Sequence, residues 1–386
     1  MSVDMYEVTI PSKVCFGDGA LSNLSVEAAA IGVKHALIIS DPGVSKAGLI
    51  QPVIEELAKA KITADVFDDS EPEPTIPRIN EIAGQLGNKK YDLLIGLGGG
   101  SSIDTAKLLS VILHHGGKAD DYMGNNNIPG PGIPLFTIPT TAGTGSEITK
   151  YAILGAPDRG LKLSVVSIYI VARVALVDPV LTYSCPPRVT AASGIDALVH
   201  AIECYTGKKA HNFRDALAIK AMRLIAGSLK TAVANGSDKS ARRDMSEGSL
   251  LAGIAFGNSG VAAVHALAYP LGSRFHVAHG VANGLFLPYV MEASLPAAVS
   301  RYADVARLLG VDDKGLSPEE TAKRGVEAAK QMVADTGLPT RLRDIDVPKE
   351  SLEGMAVATM DLTRLLDVNP KQFTLDEMKQ IWESAW

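Results

Sequence analysis

Leu93-Leu-Ile-Gly-Leu-Gly-Gly-Gly-Ser-Ser-Ile-Asp-Thr-Ala-Lys107 decides the fold. Leu93–Leu97 is a short apolar run of the kind that forms a strand buried on both faces. The glycines from Gly98 turn the chain, and Ser102–His114 then carries apolar residues at helical spacing. Glycines let a backbone approach a pyrophosphate closely, and the free N–H groups and dipole of a helix start favour the anion. Ser101 and Ser102 add hydroxyl donors. The segment is neither the Gly-x-Gly-x-x-Gly fingerprint nor a Walker P-loop, so a plain tight βα turn is the competing reading.

The same alternation extends on both sides. Strands are expected at Tyr6–Ile10 and Lys13–Phe16 (a hairpin through Pro-Ser), His35–Ser40, Ile62–Phe67, Leu93–Leu97, Leu135–Pro139, Tyr151–Leu154, Lys162–Val166 and Val174–Val177. Helices are expected at Gly43–Lys61 and Thr75–Lys89. Strand–helix alternation of this kind makes a parallel sheet covered by helices. Beyond Asp178-Pro-Val-Leu-Thr182 the texture turns Ala/Leu-rich. Helices are expected there at Pro187–Tyr205, Asn212–Ala234, Ser237–Phe256, Val261–Leu271, His279–Met291, Leu295–Leu309, Ser317–Thr336 and Leu375–Trp386. Pro186-Pro187 is a helix-start signal. The expected organisation is an α/β domain over 1–184 and an all-α domain over 185–386, with a ligand in the cleft between them.

Composition narrows the partners. The 386 residues carry a formal charge of −6 and no basic run, which disfavours nucleic acid or an anionic membrane as partner. Cys15, Cys185 and Cys204 are scattered without a Cys-x-x-Cys pair, fitting a reducing compartment and excluding a cysteine-rich zinc site. The first residues lack a signal-peptide pattern and no apolar run reaches bilayer length, so a cytoplasmic protein is expected.

Two further loops suit a dinucleotide. Pro139-Thr-Thr-Ala-Gly-Thr-Gly-Ser-Glu147 follows a strand and offers hydroxyls and glycines for phosphate or ribose, or an elaborate helix cap. Asp41 closes the strand His35–Ser40, where a carboxylate can accept the two ribose hydroxyls and repel a 2′-phosphate. That favours NAD; an ordinary Asp-Pro-Gly turn is the alternative.

The chemistry-bearing residues lie in the helical half. Gly194-Ile-Asp-Ala-Leu-Val-His200 puts Asp196 and His200 on one helix face. His265-Ala-Leu-Ala-Tyr-Pro-Leu-Gly-Ser-Arg-Phe-His-Val-Ala-His279 supplies His265 and His279, with His276 between them. One hard oxygen and three borderline nitrogens suit a divalent transition metal with an open position for substrate. The donor set alone admits iron, zinc, nickel or cobalt. His276 could relay a proton, add a ligand or simply pack. Glu203, three residues beyond His200, could orient a ligand from behind; a solvated helix residue is the preferred reading.

With those segments in place, the chain resembles the iron-containing (group III) alcohol dehydrogenase family over essentially its whole length. The landmarks are Gly17-Asp-Gly-Ala-Leu21, Gly98-Gly-Gly-Ser-Ser-Ile-Asp-Thr-Ala-Lys107, Pro139–Glu147, Asp178-Pro-Val-Leu-Thr182, Ala191–Glu203, the His265–His279 segment and Asn369-Pro-Lys-Gln-Phe-Thr-Leu375. The resemblance implies an N-terminal Rossmann-like α/β domain and a helical C-terminal domain, the dehydroquinate synthase-like fold. It implies Asp196, His200, His265 and His279 as ligands of Fe²⁺. It implies NAD contacts at Asp41, Gly98, Gly99, Ser101, Thr140, Thr141, Thr144 and Lys162, with Ser102 beside them from the loop reading. A homodimer or larger homo-oligomer follows from the same likeness.

One departure concerns catalysis. Many members of the family have a second histidine where this chain has Tyr269. A phenol with an ordinary pKa near 10 can hydrogen-bond a substrate but is a poorer base at neutral pH. Tyr269 and His276 are therefore the candidate catalytic side chains. The expected activity is metal-dependent, NAD(H)-linked interconversion of a small aliphatic alcohol and its aldehyde by direct hydride transfer. Lys150, Tyr151, Phe256, Tyr269 and Arg274 are expected near the pocket. The two cations keep open a dehydrogenase or transhydrogenase for a short anionic hydroxy acid or semialdehyde. A catalytically silent NAD-binding assembly protein is the rival from another class.

Overall fold

The structure, a computed structural model, describes residues 5–158 and 160–386. The contacts of the described residues divide them into two compact units, Val8–Cys185 and a second formed by Pro186–Trp386 together with residues 5–7.

The first unit is built on β1 (Lys13–Phe16), β2 (His35–Ile39), β3 (Thr63–Phe67), β4 (Leu93–Gly98), β5 (Gly124–Asn125), β6 (Leu135–Pro139), β7 (Tyr151–Ala156), β8 (Leu161–Val166) and β9 (Val174–Val177). Six strands form a wholly parallel sheet in the order β1-β9-β6-β4-β2-β3, and β5-β8-β7 form a smaller sheet. Helices α1 (Leu24–Ala30), α2 (Pro42–Lys46), α3 (Ile50–Lys59), α4 (Ile76–Leu86) and α5 (Gly100–His115) connect the strands. Side chains on a strand alternate between faces. Ile38 and Ile95 accordingly pack with Leu24, Val53 and Leu57 of α1 and α3. Leu37 and Leu94 pack on the other face with Ile82 of α4 and Leu109 of α5. This double cover explains why the central strands read as unbroken apolar runs.

The chain leaves β2 for β3 on one side and returns to β4 on the other. The carboxyl ends of β2 and β4 therefore flank the point where strand order reverses, the usual ligand crevice of an open α/β sheet. Asp41 follows β2 there, and Gly98 and Gly99 end β4.

Three expectations need correction. Tyr6–Ile10 is not a strand, because the Tyr6 ring stacks on His211 at 3.9 Å between centroids. β1 pairs in parallel with β9 instead of forming a hairpin. The expected helix Gly43–Lys61 is two, broken at Gly48, whose φ of 74° belongs to the left-handed region that glycine adopts without strain.

The second unit contains α6 (Pro187–Thr206), α7 (Asn212–Ala234), α8 (Lys239–Phe256), α9 (Ala263–Phe275), α10 (His279–Ser294), α11 (Val299–Leu308), α12 (Pro318–Asp335), α13 (Leu352–Met360), α14 (Thr363–Leu366) and α15 (Leu375–Ala385). The last two before α15 had no sequence signal, since Leu-Glu-Gly-Met-Ala-Val-Ala-Thr-Met lacks a clean helical period. α6 is the hub: every residue from Gly194 to Thr206 is buried. None of the described helices is long and apolar enough to cross a membrane.

A buried polar cluster ties α5 to the loop after β6. Lys107 Nζ reaches Ser146 Oγ at 2.9 Å and lies 3.6 Å from Asp104 Oδ1, while Asp104 accepts from Ser146 Oγ and from the Ile153 N–H. Glu147 is buried in the same loop, and burial pushes its carboxyl from 4.5 up to about 7. An acid whose folded pKa is raised is destabilising once ionised, so the cost grows as pH climbs from 4.5 through 7. Glu147→Gln should therefore stabilise the protein at pH 8 by up to about 3 kcal/mol and change little at pH 4.5. Urea unfolding at the two pH values checks this; an equal effect at both would mean the carboxyl titrates normally.

Candidate active site

The nucleotide-type loops converge within the first unit. Asp41 caps α2, its Oδ1 accepting from the N–H groups of Gly43 and Val44, and its Oδ2 accepts from Ser102 Oγ at 2.9 Å. The Asp-Pro-Gly turn thus exists, with its carboxylate turned toward β4. Gly98 has a φ of 146°, and a Cβ there would fall 2.6 Å from Ser102 Oγ. The Thr140 N–H donates to the Gly98 carbonyl at 3.0 Å, and a Cβ on Gly100 would meet Thr144 at 3.0 Å. Thr141 stands over Gly99 in the same way. Ser101 Oγ accepts from the N–H of Glu73, whose carboxylate pairs with Lys162 Nζ at 2.7 Å. Gly98, Gly99, Ser101, Ser102, Thr140, Thr141, Thr144 and Asp41 are thus brought together, with Lys162 joined to them through Glu73.

The second cluster is in the helical unit. Asp196 and His200 project from α6, His265 from α9, and His279 opens α10. Asp196, His265 and His279 offer ligand atoms within 4.8 Å of one another, a grouping able to hold a metal ion. Oδ1 of Asp196 is the common vertex: Nε2 of His265 lies 3.6 Å away, that of His279 3.8 Å and that of His200 3.9 Å. Donors about 2.1 Å from one tetrahedral ion are spaced roughly 3.4 Å apart, so the Asp196, His265 and His279 grouping fits a single cation, whereas His200 borders Asp196 but stands outside that grouping. Nε2 of His265 is buried and makes no hydrogen bond. A buried nitrogen in that condition is costly unless something else satisfies it.

Electrostatics favour a cation too. Burial opposes ionisation of Asp196, yet His200, His279 and His265 together hold its carboxyl well below the usual carboxylate range. Burial would push His265 down, but the carboxylates of Glu203 and Asp196 outweigh it and push the imidazole up to about 9. The pocket attracts positive charge, whether as protons or as an ion.

Packing fixes these side chains. The Phe256 ring stacks on His200 at 3.9 Å between centroids and so walls one face of that imidazole. Asn283, four residues after His279 on α10, donates to Asp196 Oδ1 at 2.6 Å. Sequence reasoning missed it, although His279-x-x-x-Asn283 repeats the spacing of Asp196-x-x-x-His200. Glu203 is 4% exposed and bonds His265 Nδ1 at 2.7 Å, which overturns its reading as a solvated residue. The physical reason is that α6 has no solvated face at that level.

Tyr269 lies one turn beyond His265 on α9, its ring centroid 6.0 Å from that of His279. His276 is exposed and caps α9 with a φ of 54°. Arg274 turns toward α13, its Nη1 reaching Met355 Sδ at 3.7 Å. Lys150 and Tyr151 belong to the first unit, the latter on β7.

A glycine-turn α/β unit and a buried carboxylate–imidazole cluster in one chain define a metal-assisted, nucleotide-linked oxidoreductase. Residues 11–179 match the family model described as iron-containing alcohol dehydrogenase, and residues 190–386 match that for the C-terminal part of the same family. The chain belongs to the iron-containing alcohol dehydrogenase family. It is 43% identical over 382 residues to long-chain-alcohol dehydrogenase 1 of Geobacillus thermodenitrificans, covering 98% of this chain and 96% of that one. A crystal structure of 1,3-propanediol oxidoreductase superposes with a TM-score of 0.95 at 34% identity, covering 99% of this chain and 100% of the other. Sulfoacetaldehyde reductase of Bifidobacterium kashiwanohense, solved in complex with NAD⁺, gives a TM-score of 0.89 at 28% identity over 99% of this chain and 98% of that one.

Close approach of α10 to α6 delivers His279 to the cluster. A Cβ on Gly280 would lie 2.1 Å from the Ala192 carbonyl oxygen, so only glycine fits. Gly280→Ala should displace α10, cost about 1–3 kcal/mol of stability and lower bound metal, as read by thermal unfolding and elemental analysis. Full metal content in that variant would mean His279 does not need this contact.

Proposed function

We propose that the protein interconverts a small aliphatic alcohol and its aldehyde, with Fe²⁺ held by Asp196, His200, His265 and His279 and with NAD(H) held by the loops after β2, β4 and β6. The observation that carries this reading is the meeting of three imidazole nitrogens on one buried carboxylate oxygen. An iron ion there would supply Lewis-acid polarisation of the C–O bond, and the nicotinamide would supply the hydride acceptor or donor.

The chain's own residues do the rest. Asp196 contributes the negative charge and the three imidazoles complete a mixed oxygen–nitrogen donor set. Phe256 keeps water from one face of His200. Tyr269 is assigned the hydrogen bond to the reacting oxygen, and His276, exposed beyond α9, the exchange of protons with solvent. Gly98 and Gly99 leave room for a pyrophosphate beside the N–H groups that open α5. Asp41 presents a carboxylate to the adenosine ribose, with Ser101, Ser102, Thr140, Thr141, Thr144 and Lys162 lining the same loops. The two units are accordingly assigned as a nucleotide-binding and a metal-binding domain. The acidic charge and scattered cysteines suit a cytoplasmic enzyme, and a homo-oligomer is proposed from the family likeness.

An anaerobic panel of alcohols and aldehydes with NADH, NADPH and defined metals tests the assignment. Steady-state NADH consumption with an aldehyde supports it. Turnover only with an oxoacid–hydroxyacid pair would indicate a transhydrogenase, and nucleotide binding without turnover at any metal a silent protein. His265→Ala should reduce bound metal by more than about tenfold and abolish turnover with the fold retained. Metal content equal to wild type would remove His265 from the ligand set. Asp41→Asn keeps a capping oxygen and loses the charge, so the preference for NADH over NADPH should fall roughly tenfold. An unchanged ratio would reduce Asp41 to a helix cap.

A further inference from the structure

We infer that Glu203 is a positioning residue that fixes His265 in the tautomer protonated at Nδ1, so that Nε2 presents its lone pair to the cation site. The inference rests on the ligand reading above and names the group that makes His265 a competent donor.

The carboxylate of Glu203 is enclosed by N–H groups. Oε2 receives the Ala262 N–H at 2.7 Å and meets His265 Nδ1 at 2.7 Å, and Oε1 receives the Val264 N–H at 2.7 Å. An ionised carboxylate can only accept, so Nδ1 must be the donor. Nδ1 keeps that proton whatever Nε2 does. Nε2 is the atom left buried without a hydrogen bond, 3.6 Å from Asp196 Oδ1.

The same carboxylate also does what α9 cannot do for itself. Ala262 stands at the N-cap of α9 and has no side-chain oxygen, so its helix start lacks a local cap. Glu203 supplies one from α6, placing a negative charge at the positive end of the α9 dipole. Glu203 follows Asp196 by seven residues and His200 by three, which puts all three on one face of α6. One side chain therefore orients the imidazole and anchors its helix to the helix bearing two other proposed ligands. Carboxylate partners of this kind typically change metal affinity 10–100-fold when lost.

Zinc, which is diamagnetic, is the probe. Glu203→Gln keeps the size but offers one acceptor oxygen and one NH₂ group to three N–H donors. A ring that accepts from that NH₂ must carry its proton on Nε2 and lose its lone pair toward Asp196. We expect Zn²⁺ affinity, measured by chelator competition, to fall at least about tenfold while NADH binding is retained. In wild-type protein carrying ¹⁵N-histidine, the His265 resonances, identified by their loss in His265→Asn, should show Nδ1–H in both apo and zinc-loaded samples. That second measurement decides the matter if Glu203→Gln fails to fold. Wild-type zinc affinity in Glu203→Gln, or an Nε2–H, Nδ1-bare pattern in the spectra, would overturn the inference and leave Glu203 a helix cap. His265→Ala in the same competition assay separates the layers. Its loss of zinc with none in Glu203→Gln overturns this inference alone, whereas wild-type affinity in His265→Ala overturns the ligand reading and this inference with it.

Discussion

A single buried oxygen, Oδ1 of Asp196, organises the helical half of this protein. Three imidazoles from three helices face it within 3.9 Å, and Asn283 donates to it at 2.6 Å. An ionised carboxylate in that position would be prohibitively costly if it stood alone. The surrounding nitrogens and their positive charge, from protons or from an ion, make it tolerable. The helices must therefore pack closely at this level, and small residues permit it. Gly280 lies against the backbone of Ala192, and a Cβ on Gly194 would collide with Leu229 and Met245.

The α/β unit answers a different requirement. Its loops need backbone, not side-chain, access to an anion, so glycines crowd the end of β4 and hydroxyl residues the end of β6. Where backbone comes close, side chains from neighbouring loops occupy the remaining space, as Ser102 does against Gly98 and Thr144 against Gly100. The buried Lys107–Asp104–Ser146 cluster holds the two loops in register without exposing charge.

Much of this was legible in the sequence because the signals were local. Short apolar runs marked β4, β6 and β9, with glycines closing β4, and the spacing of Asp196 and His200 marked a helix face. The misreadings came from interactions between distant segments. Glu203 looks like a surface residue until α6 is known to be buried all round, and Tyr6–Ile10 alternates like a strand although Tyr6 stacks on His211. Asn283 was overlooked because a lone amide carries no chemical signature until its neighbour is a carboxylate. α13 escaped because its sequence is apolar on too many sides to show a period.

The four proposed ligands are not equally enclosed. Asp196, His200 and His265 have side chains at most 5% exposed, whereas that of His279 is 30% exposed. His279 is also the first residue of its helix, and helix ends are where local opening costs least. An ion held there would therefore be nearest to solvent on the His279 side, where α10 begins, and most enclosed on the side of α6 and α9.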